Sequence, residues 1–204
     1  MRKKMNIKYL ITLVILLLAI SCSKSPTELY DLAEQELKQD NSNLAINNLK
    51  LLISKHPNDS LASKAQYKLA SVYLNWEDEI SRGLEALKNT VSNYPKTIHA
   101  KQAQKEIDRF PQFLLDKGES LRKQKKLKES VDHLMYLTNY YSNSEIAPKG
   151  QYMLGDVYMN DFRDFTTAIQ EYRKVIENYN GSSQEPHALF MIGYIYANVI
   201  NDIK

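Results

Sequence analysis

Cysteine is nearly missing from this chain of 204 residues: Cys22 stands alone, so no intramolecular disulfide can form. The six glycines are all isolated, which leaves no phosphate-cradling loop, and a Gly-x-Ser-x-Gly nucleophile elbow is absent. His56, His99, His133 and His187 lie far apart, with no HExxH, no paired metal spacing and no CxxC. We read them as solvated or capping side chains. These gaps exclude the usual catalytic and metal-binding constellations, so no enzyme, metal or bound cofactor is expected. Long hydrophobic runs are also lacking. The longest, Tyr9 to Ile20, is 12 residues and nearly unbroken, whereas a permanent spanning helix needs about 20.

That short run has a purpose of its own. Arg2, Lys3, Lys4 and Lys8 surround its start, the layout of a secretory signal. It ends in Leu18-Ala19-Ile20-Ser21-Cys22, which resembles a bacterial lipobox, with Ala19 where that motif most often has leucine. The resemblance implies cleavage after residue 21 and a diacylglycerol on Cys22, completed by an acyl chain of the palmitate class. The alternative is an N-terminal membrane anchor with an incidental cysteine. Ser23 stands where lipoproteins kept at the inner membrane often have Asp, which favours lipid anchoring in the outer membrane, facing the periplasm. Residues 1–21 hold four basic and no acidic side chains, so their removal takes the formal net charge from +3 to −1. Nucleic acid therefore loses its electrostatic basis as a partner, and no small-molecule substrate is indicated.

The rest of the chain has helical periodicity, clearest over Ala147 to Asn180, where two amphipathic helices flank a polar turn. The order Gln151, Leu154, Gly155, Tyr158, then Ala168, Tyr172, Val175 resembles the tetratricopeptide (TPR) repeat, whose small residues let paired helices approach closely. The pattern recurs. Ala33 is followed by Ala45, Leu49, Leu52 and Pro57, and Leu69, Ala70 and Tyr73 by Gly83, Leu87 and Pro95. Leu114, Gly118 and Leu121 precede Ser130, Leu134 and Leu137, and a fifth unit opens with Leu189, Ile192, Gly193 and Tyr196. Ala33 to Ala70 is 37 residues, Gly118 to Gly155 is 37 and Gly155 to Gly193 is 38. The expected fold is all-α, a right-handed TPR superhelical solenoid in which each unit packs on its neighbours.

Two irregularities set the expected boundaries. Ala70 to Gly118 is 48 residues, and the excess, Thr97 to Phe110, reads as a helix running into Pro111. It implies a kinked long helix or a break near Arg109 to Gln112. The last apolar segment, Ala188 to Ile200, lacks the polar outer face of a terminal repeat, so the chain is a fragment or another chain covers that helix. The parsing is a signal over 1–21, lipidated N-terminus and linker over 22–26, repeats 1–2 over 27–96, and an extra or kinked helix over 97–110. Repeats 3–4 and the first helix of an incomplete repeat 5 occupy 111–204. Thr27 is the expected cap of the first helix.

In TPR solenoids the first helices line the concave face where peptides dock. Three residues before each small residue stand Tyr30, Tyr67, Leu115, Tyr152 and Phe190; five after it stand Lys38, Asn75, Lys123, Asn160 and Asn198. Aromatic rings beside amides suit an extended peptide, because an amide serves both a backbone donor and an acceptor. The rings have a second reading, as inter-repeat core. The basic run Arg122 to Lys128 is either a solvated turn or a contact for lipid phosphates or an acidic partner.

The opening Thr27-Glu28-Leu29-Tyr30-Asp31-Leu32-Ala33, continuing to Leu37 and Leu44-Ala45-Ile46, resembles the TPR lipoprotein family of the outer-membrane β-barrel assembly (Bam) machinery over roughly residues 22–100. That resemblance implies a partner-binding groove that includes Tyr30, Glu34, Tyr67 and Asn75, and Tyr152, Asn160, Phe190 and Asn198 continue the same rows. The implied partners are an outer-membrane barrel assembly subunit and unfolded barrel clients. Chaperone-type TPRs clamp a carboxylate with Lys and Asn, but Tyr30 and Glu34, then Tyr67 and Ser71, occupy the comparable positions here. Residues 147–199 resemble the Tol-Pal accessory TPR family, which implies the alternative of a scaffold lipoprotein coordinating envelope machinery. That family has a coiled coil and no lipid anchor, unlike this chain.

Overall fold

The computed structural model describes residues 24–200, with side chains through Asn198. The signal segment and Cys22 lie outside the described residues. Among the described residues the chain is all-α, with ten α-helices. They are α1 (Pro26–Lys38), α2 (Ser42–Lys55), α3 (Ser60–Asn75), α4 (Ile80–Asn93), α5 (Ile98–Asp108), α6 (Phe110–Lys123), α7 (Leu127–Tyr140), α8 (Ala147–Val157), α9 (Phe165–Asn178) and α10 (Glu185–Ile195). Five-residue π-turns, Tyr158–Phe162 and Tyr196–Ile200, extend α8 and α10. No described helix is long and apolar enough to cross a membrane.

The prolines punctuate this order. Pro26, Pro111, Pro148 and Pro186 sit in the first turns of α1, α6, α8 and α10, where the missing N–H has no helical partner to lose. Pro57 and Pro95 follow the capping residues of α2 and α4. Pro111 accordingly opens α6, and the chain breaks at the single residue Arg109 between α5 and α6. The first helix starts earlier than Thr27: Ser25 is its cap, its hydroxyl accepting from the Glu28 N–H at 3.2 Å. Pro26 prefers a first-turn position, which shifts the cap upstream.

The chain forms two compact units, residues 1–103 and 104–204, with the boundary inside α5. In the first, α1 packs on α2, α2 on α3 and α3 on α4, with α1 also touching α3. Leu49, Leu52 and Leu87 are fully buried there. In the second, α6 packs on α7, α7 on α8, α8 on α9 and α9 on α10, around Leu114, Leu134, Leu137, Leu154 and Tyr172. Each such leucine contributes roughly 1.5–3 kcal/mol through burial.

Small residues set the close approaches. A Cβ built on Gly118 would meet Leu134 at 2.9 Å, and one on Gly155 would meet the Tyr172 ring at 2.4 Å. Ser130 adds a hydrogen bond to the Gly118 carbonyl at 2.7 Å. Four turns between paired helices carry a non-glycine residue in left-handed conformation: Asp40, Asp78, Lys125 and Arg163, with φ between 56° and 60°. The N–H of the next residue closes each turn onto the preceding helix, as in Asn41 to the Glu36 carbonyl at 2.9 Å and Lys126 to the Leu121 carbonyl at 3.0 Å.

Candidate functional site

In the first unit, Tyr30, Glu34 and Tyr67 are gathered on the face shared by α1 and α3. Tyr30 is buried to 9 % exposure, so its ring serves the inter-repeat core. Lys64 places its ammonium 4.4 Å from that ring's centroid, and Lys68 reaches Glu34 at 2.9 Å. Burial raises the Tyr30 phenol above its usual range, and the neighbouring Glu34 charge adds to the effect. Burial also penalises the Glu34 carboxylate, but hydrogen bonding and charge from Lys68, with the Tyr30 hydroxyl, hold it below its ordinary value. Tyr67, one turn along α3, faces His99 with ring centroids 6.1 Å apart, and His99 Nδ1 lies 3.0 Å from the Ser63 hydroxyl. Burial and the Lys64 charge lower the His99 pKa.

The amide positions behave alike. Asn75 donates to the Ser71 carbonyl at 3.0 Å, Asn160 to that of Asp156 at 3.1 Å and Asn198 to that of Tyr194 at 3.1 Å. All three are exposed and tied one turn back along their own helix or π-turn.

In the second unit, Tyr152 is half-buried, 5.3 Å from the Tyr172 ring and 6.2 Å from the His187 ring. Phe190 is 68 % exposed and stacks on Tyr194 at 6.5 Å. Leu189, which opens the fifth unit of the repeat pattern, is 53 % exposed, and nothing stands within 4 Å of a Cβ on Gly193. Among the described residues no helix packs over α10 as α9 packs over α8.

Part of the basic run has a structural role. Arg122 Nε meets Asp161 at 2.6 Å and its NH2 group donates to the Asp156 carbonyl at 3.2 Å; Lys125 reaches Asp161 at 3.1 Å. Burial would raise the Asp161 pKa, but hydrogen bonds and charge from Arg122 and Lys125 bring it below the usual carboxylate value. Asp156 accepts the Tyr172 hydroxyl at 2.6 Å, and burial raises its pKa despite that bond and Arg122. Arg122 and Lys125 are therefore tied to the next repeat. The histidines also differ from the sequence reading at one position: His133 is buried inside α7, with Nδ1 3.0 Å from the Glu129 carbonyl, neither solvated nor capping.

Lys64, Lys68 and Asp161 escaped the sequence reading. Lys64 lies three residues before Tyr67 and Lys68 directly after it, one helical turn apart from each other, and Asp161 lies 39 residues beyond Arg122, about one repeat; both signals were available. Among the described residues no group of three or more His, Cys, Asp or Glu side chains is placed to hold a metal ion.

Residues 22–104 match the YfiO family model, described as outer membrane lipoprotein, and residues 150–182 match the tetratricopeptide repeat model. Both are families of non-enzymatic protein-interaction scaffolds. No curated protein matches the chain. Among solved structures, MamA is 16 % identical, with 79 % of this chain and 90 % of that one covered and a TM-score of 0.29. The nearly identical TPR-like repeats of a Podosopora anserina kinesin-light-chain-type protein are 14 % identical, covering 86 % and 98 % with a TM-score of 0.32. Superpositions this loose carry no argument, so the fold rests on the helix pairs themselves. The chain is an all-α protein built of TPR-like helix pairs, in which residues 150–182 match the tetratricopeptide repeat model and residues 22–104 the outer membrane lipoprotein model.

Proposed function

We propose that this protein is a lipid-anchored interaction platform of the outer membrane that takes part in the assembly of outer-membrane barrel proteins. Its anchor is the lipid on Cys22, and it faces the periplasm. Its α1–α3 face takes extended segments of barrel clients or of a barrel assembly subunit. The observation that carries this reading is the coincidence of the outer membrane lipoprotein match, residues 22–104, with the unit that gathers Tyr30, Glu34, Lys64, Lys68 and Tyr67. Tyr67 supplies the half-buried ring and Asn75 the exposed amide on that face, while Tyr30 supports it from below. Asn75 keeps its side-chain oxygen for a backbone N–H.

The test is purification of the lipidated protein from native membranes in mild detergent, comparing wild type with the Tyr67→Ala/Asn75→Ala double variant. A stoichiometric barrel subunit that is lost from the variant, at unchanged helix content, supports the reading. Tol-Pal or wall-synthesis components in its place would favour the envelope scaffold. Loss of helicity would assign both residues to structure.

A further inference from the structure

The second unit holds a cleft of about 480 Å³ between α6 and α8, the first helices of repeats three and four. Glu119, Arg122, Lys123 and Lys125 line it from α6 and its turn, Lys149 and Met153 from α8, and Asp161 from the π-turn that follows. Four cations thus face two carboxylates, a formal excess of two positive charges, whereas residues 22–204 together carry −1.

Pairing inside the cleft does not cancel that excess. Arg122 and Lys125 share the one Asp161 carboxylate, and Lys123 reaches Glu119 at 2.8 Å. The Lys123 hydrogen bond and charge hold the Glu119 carboxyl below its ordinary value, and Lys149 and Arg122 add to the effect. The Lys149 ammonium itself makes no ion pair or hydrogen bond to a described residue. Arg122 spends its Nε and one terminal nitrogen on Asp161 and the Asp156 carbonyl, and its other terminal nitrogen is unused.

Helix dipoles account for only part of this cluster. Arg122 and Lys123 stand in the last turn of α6, where cations are favoured. Lys149 stands in the first turn of α8, at the positive end of that helix, where an unpartnered cation is unfavourable. Cohesion between the repeats uses Arg122 and Lys125 through Asp161 but has no use for Lys149. An anion in the cleft supplies that missing partner. A phosphate monoester carries about −1.5 to −2 at pH 7 and presents three acceptor oxygens, which matches the excess; a carboxylate cancels half of it. The partly buried Met153 gives the organic part of a monoester an apolar contact.

We propose that the α6–α8 cleft binds a phosphate monoester, its oxygens taken by Lys149, Lys123 and the unused terminal nitrogen of Arg122. The site is independent of the α1–α3 face, so either reading can fail without the other.

The experiment uses the lipidated full chain in phosphatidylcholine vesicles, with glycerol phosphate as the soluble probe and acetate at matched ionic strength as the control. Calorimetry gives the affinity, and mass spectrometry follows acetylation of each lysine. Glycerol phosphate should slow acetylation of Lys123 and Lys149, and acetate should not. Its Kd should rise by about tenfold or more in K123Q/K149Q. It should stay unchanged in K126Q/K128Q, two exposed lysines of the same basic run that lie outside the lining. All four positions are exposed, and the variants are compared at equal helix content. Vesicles carrying phosphatidic acid separate the sources. Protection of Lys149 there without added probe supports the site with a lipid headgroup as ligand, and protection by the soluble probe alone supports it with a free monoester. No protection from either source, equal protection by acetate, protection of Lys126 and Lys128 to the same degree, or an equal loss of affinity in both variants would each overturn the proposal.

Discussion

Repeats two and four solve the same packing problem in opposite directions. In the fourth, Gly155 on the first helix α8 receives Tyr172 from α9; in the second, the glycine is Gly83 on the second helix α4, and Leu74 of α3 enters it. The contacts across repeats differ as well. The α1–α3 face is joined by Lys64 over the Tyr30 ring and by the half-exposed Lys68–Glu34 pair. In the second unit, Arg122 and the largely buried Asp161 make the link, beside the Tyr172–Asp156 bond. A TPR pair thus needs small residues opposite large ones, in these two repeats with alanine on one helix and glycine on the other, and the glycine can stand on either. Exposed joints keep their charged groups accessible, whereas buried ones serve cohesion.

The sharpest test of this contrast is Gly155→Ala against Gly193→Ala. The first pushes a methyl into the Tyr172 ring and should lower stability by about 2–3 kcal/mol. The second meets open space and should raise helix stability by about 0.5–1 kcal/mol. Thermal melts of both variants decide it; equal destabilisation would mean that α10 is covered in solution.

Asp161→Asn should destabilise by about 1–3 kcal/mol, because Arg122 keeps its partly buried position and loses its carboxylate. Lys68→Met, at the more exposed pair, should change stability by about 0–1 kcal/mol. Urea unfolding measures both, and the reverse order would break the distinction between cohesive and available joints.

The two units should also respond differently to acid. His99 has its pKa lowered below the ordinary 6.5, so the unfolded chain takes up the proton first. Its contribution is complete above pH 6.5 and is lost as pH falls from there through the lower folded value. Asp161, also lowered, keeps its contribution above the ordinary 3.8 and loses it only as pH falls through its still lower folded value. Hydrogen exchange followed by pH should show α3 and α5 loosening before the α6–α8 turn region, and His99→Gln should abolish the earlier step.

The smallest effect belongs to the turns. Arg163 is exposed with φ 56°, and Arg163→Gly should raise the melting temperature slightly, by roughly 0.5 kcal/mol of relieved strain. The same change at Lys125 should not help, because Lys125 also holds Asp161.

Much of this was legible in the residues. The spacing of Ala33, Ala70, Gly118 and Gly155 located the helix pairs because close approach demands small side chains at a regular interval. Pro111 marked the α5–α6 break for a local steric reason. The candidate site was less legible. Tyr30 and Tyr67 have the same sequence signature, yet one is core and the other half-exposed, since burial depends on the neighbouring helix. The left-handed turn residues were missed because Lys125 and Arg163 carry no glycine signal. His133 was misread because one histidine does not disclose which face of α7 it occupies.

The sequence by itself determined the helical class, the repeat interval and the small-residue positions, all set by local sterics and periodic burial. The tertiary structure alone decided that Asn75, Asn160 and Asn198 bond to their own helices while Asn139, Asn143 and Asn178 remain unpaired. It also decided that Arg122 belongs to Asp161. Pairing and exposure depend on which groups meet across repeats, and that distance is written in three dimensions.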